Sequence, residues 1–184
     1  KGEVERIARK AASNRYCKKF DTWHHLITML YGCYQHCTSL REITTGMSAC
    51  EGRLQSLSFR HFTRKSTFSD ANKRRDADVF EDIYQMLYKR LSPNLPDSRM
   101  KGGVFKKLFI IDSTTISLFS NIYKGVGPNP INGKKKGGLK IHMAVQSNHD
   151  VPCLIRITQG ATDDRVFAKQ IQLPKGSYAV FDKG

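Results

Sequence analysis

Val104-Phe105-Lys106-Lys107-Leu108-Phe109-Ile110-Ile111-Asp112 and Ala179-Val180-Phe181-Asp182 share one pattern: a β-branched and aromatic run that stops on an aspartate. Such runs read as buried strands. A polar residue where a strand of an α/β sheet ends is where ligands are met. Working outward, Ile141, Met143 and Val145 alternate with polar or small neighbours over residues 139–146, a second strand. Asn148-His149-Asp150 turns the chain into a third strand over 151–158. Thr162-Asp163-Asp164 caps a helix carrying Val166, Phe167 and Ile171, and residues 177–181 make a fourth strand. The order β-β-β-α-β predicts an α/β layer on a mixed sheet.

If the first and fourth strands are neighbours, the carboxylates of Asp112 and Asp182 converge. Two close carboxylates repel unless a proton or a cation lies between them. Oxygen ligands of this kind suit Mg²⁺ or Mn²⁺. On a basic chain the pair points to metal-assisted phosphoryl transfer on nucleic acid. The plainer alternative is that each aspartate caps a strand or a turn.

The texture upstream is helical. Phe20, Trp23, Ile27, Leu30, Tyr31 and Tyr34 recur at spacings of three and four, which predicts one apolar helical face. Ser39-Leu40-Arg41-Glu42 fits a capping box, with Leu40, Ile43 and Met47 continuing a short helix. A polar connection leads to Ser66–Arg75, read as a DNA-reading helix with a solvent-facing basic end, Lys73-Arg74-Arg75. A last helix starts near Asp76 or Asp78, with Val79, Phe80, Ile83, Leu87 and Leu91 inward. Ser92-Pro93-Asn94-Leu95-Pro96-Asp97 reads as a linker. The expected organisation is therefore α+β, with a helical region over 1–97 and an α/β region over 104–184.

Composition narrows the partner. The 184 residues carry 31 Lys+Arg against 16 Asp+Glu, a net charge of +15, and the excess is spread over both halves. The pI of 9.8 is the electrostatic footprint expected of a nucleic-acid binder. No run of about 18 apolar residues is present, so no membrane-spanning helix is expected. The polar start, Lys1-Gly2-Glu3, does not read as a secretory signal. The five cysteines, an odd number, fit reduced thiols. Between Gly125 and Gly138 the run Gly133-Lys134-Lys135-Lys136 lacks the spacing and the Ser or Thr of a P-loop. It reads better as a basic loop touching phosphates, and Lys134, Lys135, Lys136 and Lys140 are the candidate backbone contacts. His24, His25, Cys33, His36 and Cys37 are spread round one helix without a CxxC, a poor zinc site.

Several stretches together resemble the DDE transposases of the insertion sequence 4 family. They are Phe20-Asp21-Thr22-Trp23-His24-His25, Ser39-Leu40-Arg41-Glu42-Ile43, Arg64-Lys65-Ser66-Thr67-Phe68-Ser69-Asp70-Ala71-Asn72, Ile111-Asp112-Ser113-Thr114-Thr115, Gly138-Leu139-Lys140-Ile141-His142 and Val180-Phe181-Asp182-Lys183-Gly184. The resemblance implies an RNase H-like core in which two Asp and one Glu hold divalent metal, Mg²⁺ or Mn²⁺, for DNA cleavage and strand transfer. Asp112 matches the family's first acidic residue and Asp182 its second. All five Glu precede Asp112, so the third residue has no counterpart here. The expectation is an N-terminal fragment of a longer transposase, inactive alone. The partners implied are double-stranded DNA of the terminal inverted repeats and target, a homodimer in a synaptic complex, and no membrane, in a cytoplasmic, nucleoid-associated setting. The competing readings are a non-enzymatic DNA-binding remnant, or another metal-dependent nuclease or phosphatase.

Overall fold

Side-chain caps set the helix boundaries of the N-terminal half. A computed structural model describes residues 1–59, 61–94, 108–117, 137–147 and 151–181, and the chain divides into two units, Lys1–Leu87 and Tyr88–Gly184. The first unit opens with α1 (Gly2–Lys10), a helix the sequence reading did not include. Glu3 and Glu5 in its first turn and Arg9 and Lys10 in its last complement the helix dipole, and Val4 and Ala8 are buried. In α2 (Thr22–Tyr34) the Asp21 carboxylate accepts from the His24 amide at 2.8 Å. In α3 (Leu40–Ala49) Ser39 Oγ accepts from the Glu42 amide at 3.2 Å, while Glu42 reaches back to the Thr38 amide at 2.7 Å. This is the expected capping box with its return bond one residue earlier. The short α4 (Glu51–Leu54), α5 (Lys65–Arg74) and α6 (Asp78–Leu91) follow.

Two apolar clusters hold this unit. One joins Phe20, Ile43, Met47, Phe59, Phe68 and Ala71; the other joins Val4, Val79 and Ile83, with Trp23 and Leu26 against it. The α2 face differs from the expected one. Leu30 and Tyr34 are exposed, and the deepest stripe is Thr22, His24, His25, Thr28 and Gly32. Helix α2 lies between the two clusters, so its apolar residues serve the flanks. The polar stripe is tolerated because most of its groups are paired, with His24 Nε2 left without a partner. Asn14 Oδ1 accepts from the Thr22 amide and hydroxyl, and Thr28 donates to the His24 carbonyl. At Gly32 a Cβ would sit 2.5 Å from Ile43 Cδ1, so any side chain here would force Ile43 of α3 to shift. The polar connection also needs correction: Phe59 in it is 2% exposed, with its ring 4.7 Å from that of His24. Leu87 and Leu91 of α6, expected inward, are exposed.

Arg75 corrects a further expectation. It does not face solvent. Its guanidinium donates to His25 Nδ1 at 3.1 Å, to Cys17 Sγ at 3.3 Å and to the Phe20 carbonyl oxygen, tying the residue after α5 to the α1–α2 connection. Lys73 and Arg74 are exposed as expected.

The second unit contains β1 (Leu108–Ser117), β2 (Gly138–Gln146), β3 (Pro152–Gln159), α7 (Asp164–Gln170) and β4 (Tyr178–Phe181). The sheet order is β3-β2-β1-β4, with β2 antiparallel to both β1 and β3, and β4 parallel to β1. The whole is a mixed α+β architecture with a four-stranded mixed sheet among the described residues. One boundary moves. The first strand does not end at Asp112 but runs on to Ser117, because Ser113, Thr114, Thr115 and Ile116 keep their partners on β2. Helix α7 covers the face that carries Ile111 and Ala144, pressing Phe167 onto them.

Two outcomes follow from the first unit. Phe68 is fully buried against Phe20 and His25. Phe68→Ala should cost about 3–5 kcal/mol in urea unfolding, the range for an emptied aromatic core position. His25 should make stability depend on pH. Burial, with the Arg75 charge acting the same way and the Asn72 hydrogen bond opposing, lowers its pKa from 6.5 to about 4. Between these values the unfolded chain binds a proton that the folded chain does not. Its stabilisation is therefore complete above 6.5 and is lost as pH falls toward 4. Unfolding curves of the chain and of His25→Gln should differ in pH slope across that window, by up to about 3 kcal/mol in total. Parallel curves would show that the imidazole is not held neutral.

Candidate catalytic cleft

Strand pairing places the candidate aspartate. The parallel β1–β4 ladder runs from Leu108↔Tyr178 to Ile111↔Phe181, the residues that precede Asp112 and Asp182 in the sequence. Asp182 lies outside the described residues. Asp112 is exposed on β1, and its Oδ1 accepts from the Ser113 amide at 2.7 Å. It lines a cleft of about 150 Å³ together with Ile111, Ser113, His142, Asp164, Phe167 and Phe181.

A carboxylate that the sequence reading used only as part of a helix cap organises this cleft. Asp164, the first residue of α7, accepts from Lys140 Nζ at 2.9 Å and lies 3.0 Å from His142 Nδ1. Ser113 lines the same cleft, close enough to help lower the pKa of this carboxylate. Burial alone would raise the pKa of Asp164, but the Lys140 hydrogen bond, the Ser113 side chain and the charges of Lys140 and His142 outweigh it, and the net shift is downward. His142 is 1% exposed, and its ring stacks on Phe167 with centroids 4.7 Å apart. Burial lowers its pKa first, Lys140 and Arg156 add to this, and Asp164 opposes them. The neutral imidazole fits its partners: Nδ1–H donates to Asp164 and Nε2 accepts from the Thr158 hydroxyl at 2.8 Å. Thr158, His142 and Asp164 are thus linked across β3, β2 and α7, with Ser113 of β1, the residue next to Asp112, in the same cleft.

The other candidates separate. Lys140, expected on backbone phosphate, has a side chain 16% exposed whose ammonium binds Asp164 and, at 3.2 Å, the Thr162 carbonyl. Lys134, Lys135 and Lys136 lie outside the described residues. Lys73, Arg74 and Arg75 belong to the first unit. Among the described residues no three His, Cys, Asp or Glu side chains gather as a metal site. His24 and His25 are buried and hydrogen-bonded to Asp21 and Asn72. His142 and Asp164 were the residues missed. Their signal was present: in the alternation of β2, Lys140, His142 and Ala144 share the face opposite Ile141, Met143 and Val145.

Comparison with known proteins agrees with this architecture. Residues 104–184 match the family described as the transposase DDE domain, and residues 1–60 match a domain of unknown function, DUF4372. A candidate transposase of Sinorhizobium fredii, y4zB, is 32% identical over 116 residues, which is 63% of this chain and 30% of that protein. A candidate transposase for the insertion sequence element IS4SA of Synechocystis is 29% identical over 121 residues, 65% of this chain and 32% of that protein. The match thus spans about a third of the length of these relatives. No solved structure matches the chain. Residues 104–184 are thus similar to the transposase DDE domain, and both relatives carry the name of a transposase, one of them for an insertion sequence.

Proposed function

We propose that this chain binds the end DNA of an insertion sequence and supplies the first two acidic residues, Asp112 and Asp182, of a centre that cleaves and transfers DNA strands on an RNase H-like core. The observation that carries the reading is the parallel pairing of β1 with β4, in a register whose last pair, Ile111 and Phe181, immediately precedes the two aspartates. The donor chemistry fits a hard divalent cation. Asp112 is an exposed carboxylate, and the imidazole of the cleft, His142, is committed to Asp164 and Thr158. Asp112 and Asp182 would hold Mg²⁺ or Mn²⁺, whose contribution when bound is Lewis-acid activation of the attacking oxygen and neutralisation of charge on the phosphate.

The chain's own residues prepare that chemistry. The Ser113 amide holds one oxygen of Asp112, and Asp164, held by Lys140 and His142, ties α7 to the neighbouring strand β2. Lys73 and Arg74 in the helical unit, and Lys134, Lys135 and Lys136 in the other, neutralise backbone phosphates, while Lys140 is engaged by Asp164. Duplex DNA of the terminal inverted repeats and of the target is the partner, and a homodimer in the synaptic complex belongs to the same reading.

Two measurements test it. Binding of a labelled duplex, followed by anisotropy, should weaken steeply with salt, with a slope of log K against log salt of about −3 or steeper, as several phosphate contacts require. A slope near zero would remove DNA as the partner. In Mn²⁺ titrations followed by electron paramagnetic resonance, Asp112→Asn and Asp182→Asn should each weaken ion binding about tenfold or more while duplex affinity holds, because each keeps its shape and loses a ligand charge. Duplex binding with no Asp112-dependent ion would leave a DNA-binding protein without this catalytic centre.

A further inference from the structure

The first unit has a groove of about 430 Å³ between the α1–α2 connection and residues 61–74. Sites of about 300–1,000 Å³ hold a compact ligand such as a nucleotide. Lys18 and Lys19 line one side of the groove, and Arg64 and Arg74 the other; no Asp or Glu lines it. All four are exposed, and among the described residues none of them pairs with a carboxylate. Phe20 and Phe62 supply an apolar wall. Only Arg74 of these four cations was singled out in the sequence.

Tyr16 sits in the same groove and is unusual twice over. It is 83% exposed, and its φ is 61°, the left-handed region that costs a bulky residue about 1–2 kcal/mol. The surrounding connection holds it there. The Cys17 amide donates to the Asn14 carbonyl at 3.0 Å, Asn14 receives two hydrogen bonds from Thr22, and Arg75 clamps Cys17 and Phe20. Arg15 lies over the Tyr16 ring, 5.0 Å from its centroid. A strained backbone that presents an aromatic ring to solvent beside four cations is a feature to be explained by a ligand.

We infer that this groove binds unpaired DNA, with Lys18, Lys19, Arg64 and Arg74 on the phosphates and a base stacked on Tyr16. Cations give affinity for either form of DNA, but a ring can stack only on a base that has left the duplex. An element end that is being cut presents such bases. The inference rests on the reading of the chain as a DNA-acting protein and adds to it the form of DNA and the surface that takes it.

The test is anisotropy of the full chain with a labelled 12-nucleotide thymidine strand and with a 20-base-pair duplex, both in EDTA so that no metal chemistry enters. Tyr16→Gly is the informative variant, since glycine relieves the left-handed strain and cannot weaken binding by unfolding the connection. It should lose about fivefold or more on the single strand, the size of one stacking contact, and change duplex binding by less than about twofold. Tyr16→Trp should keep single-strand affinity. Lys18→Ala combined with Lys19→Ala and Arg64→Ala should weaken both forms and flatten the salt dependence. Equal single-strand affinity for Tyr16→Gly and the unaltered chain would overturn stacking, and unchanged affinity in the triple variant would overturn the groove. Either result with duplex binding intact leaves the transposase reading standing. A chain that binds neither form of DNA would overturn both.

Discussion

Strand β1 lies between an antiparallel neighbour and a parallel one, and the candidate site depends on that position. Its partner β2 extends β1 well past Asp112, so the aspartate stands inside a ladder and cannot drift as a strand end would. Its partner β4 begins pairing at the opposite end of β1 and reaches Ile111. A parallel neighbour requires a crossover, and α7 supplies part of it between β3 and β4. That crossover carries Asp164 to the same cleft as Asp112, where one carboxylate is exposed and the other is fully engaged.

The two units bury polar groups by the same rule. Arg75 and His25 in the first, and Lys140 and His142 in the second, are largely covered yet find partners for most of their polar atoms, Arg75 Nε being left without one, so much of the cost of covering them is offset. In both units a histidine is held toward its neutral form by burial. In both, the polar set adds to apolar contacts between the same elements: Arg75 joins α5 to the α1–α2 connection beside Phe20 and Phe68, and Asp164 joins α7 to β2 beside Phe167 and Ala144.

The basic excess of the chain is put to different uses. Arg75 and Lys140 spend their charge within the fold. Lys18, Lys19, Arg64 and Arg74 face an open groove without opposing carboxylates. Net charge alone points to a class of partner, whereas the distinction between structural and available cations needed the placement of each side chain.

Local patterns determined much of the architecture. Ser39 and Asp163 announced their helices, because a cap is a contact between residues two or three apart. The order β-β-β-α-β and the hydrophobic run before Asp112 were equally local. What lay beyond the sequence were contacts between distant positions. Helix α2 turned its polar stripe inward because two clusters flank it and because Asn14 and Asn72 answer its donors and acceptors. Arg75 looked like a basic tail until it met Cys17 and Phe20, 58 and 55 positions away. The run through Asp112 read as a strand end, since only pairing with residues 138–146 extends it. His142 and Asp164 acquire their role 22 residues apart, through a fold that sets α7 over β2. Periodicity and capping are properties of neighbouring residues; which face is buried, and which charge is satisfied, are decided by what tertiary packing brings opposite them.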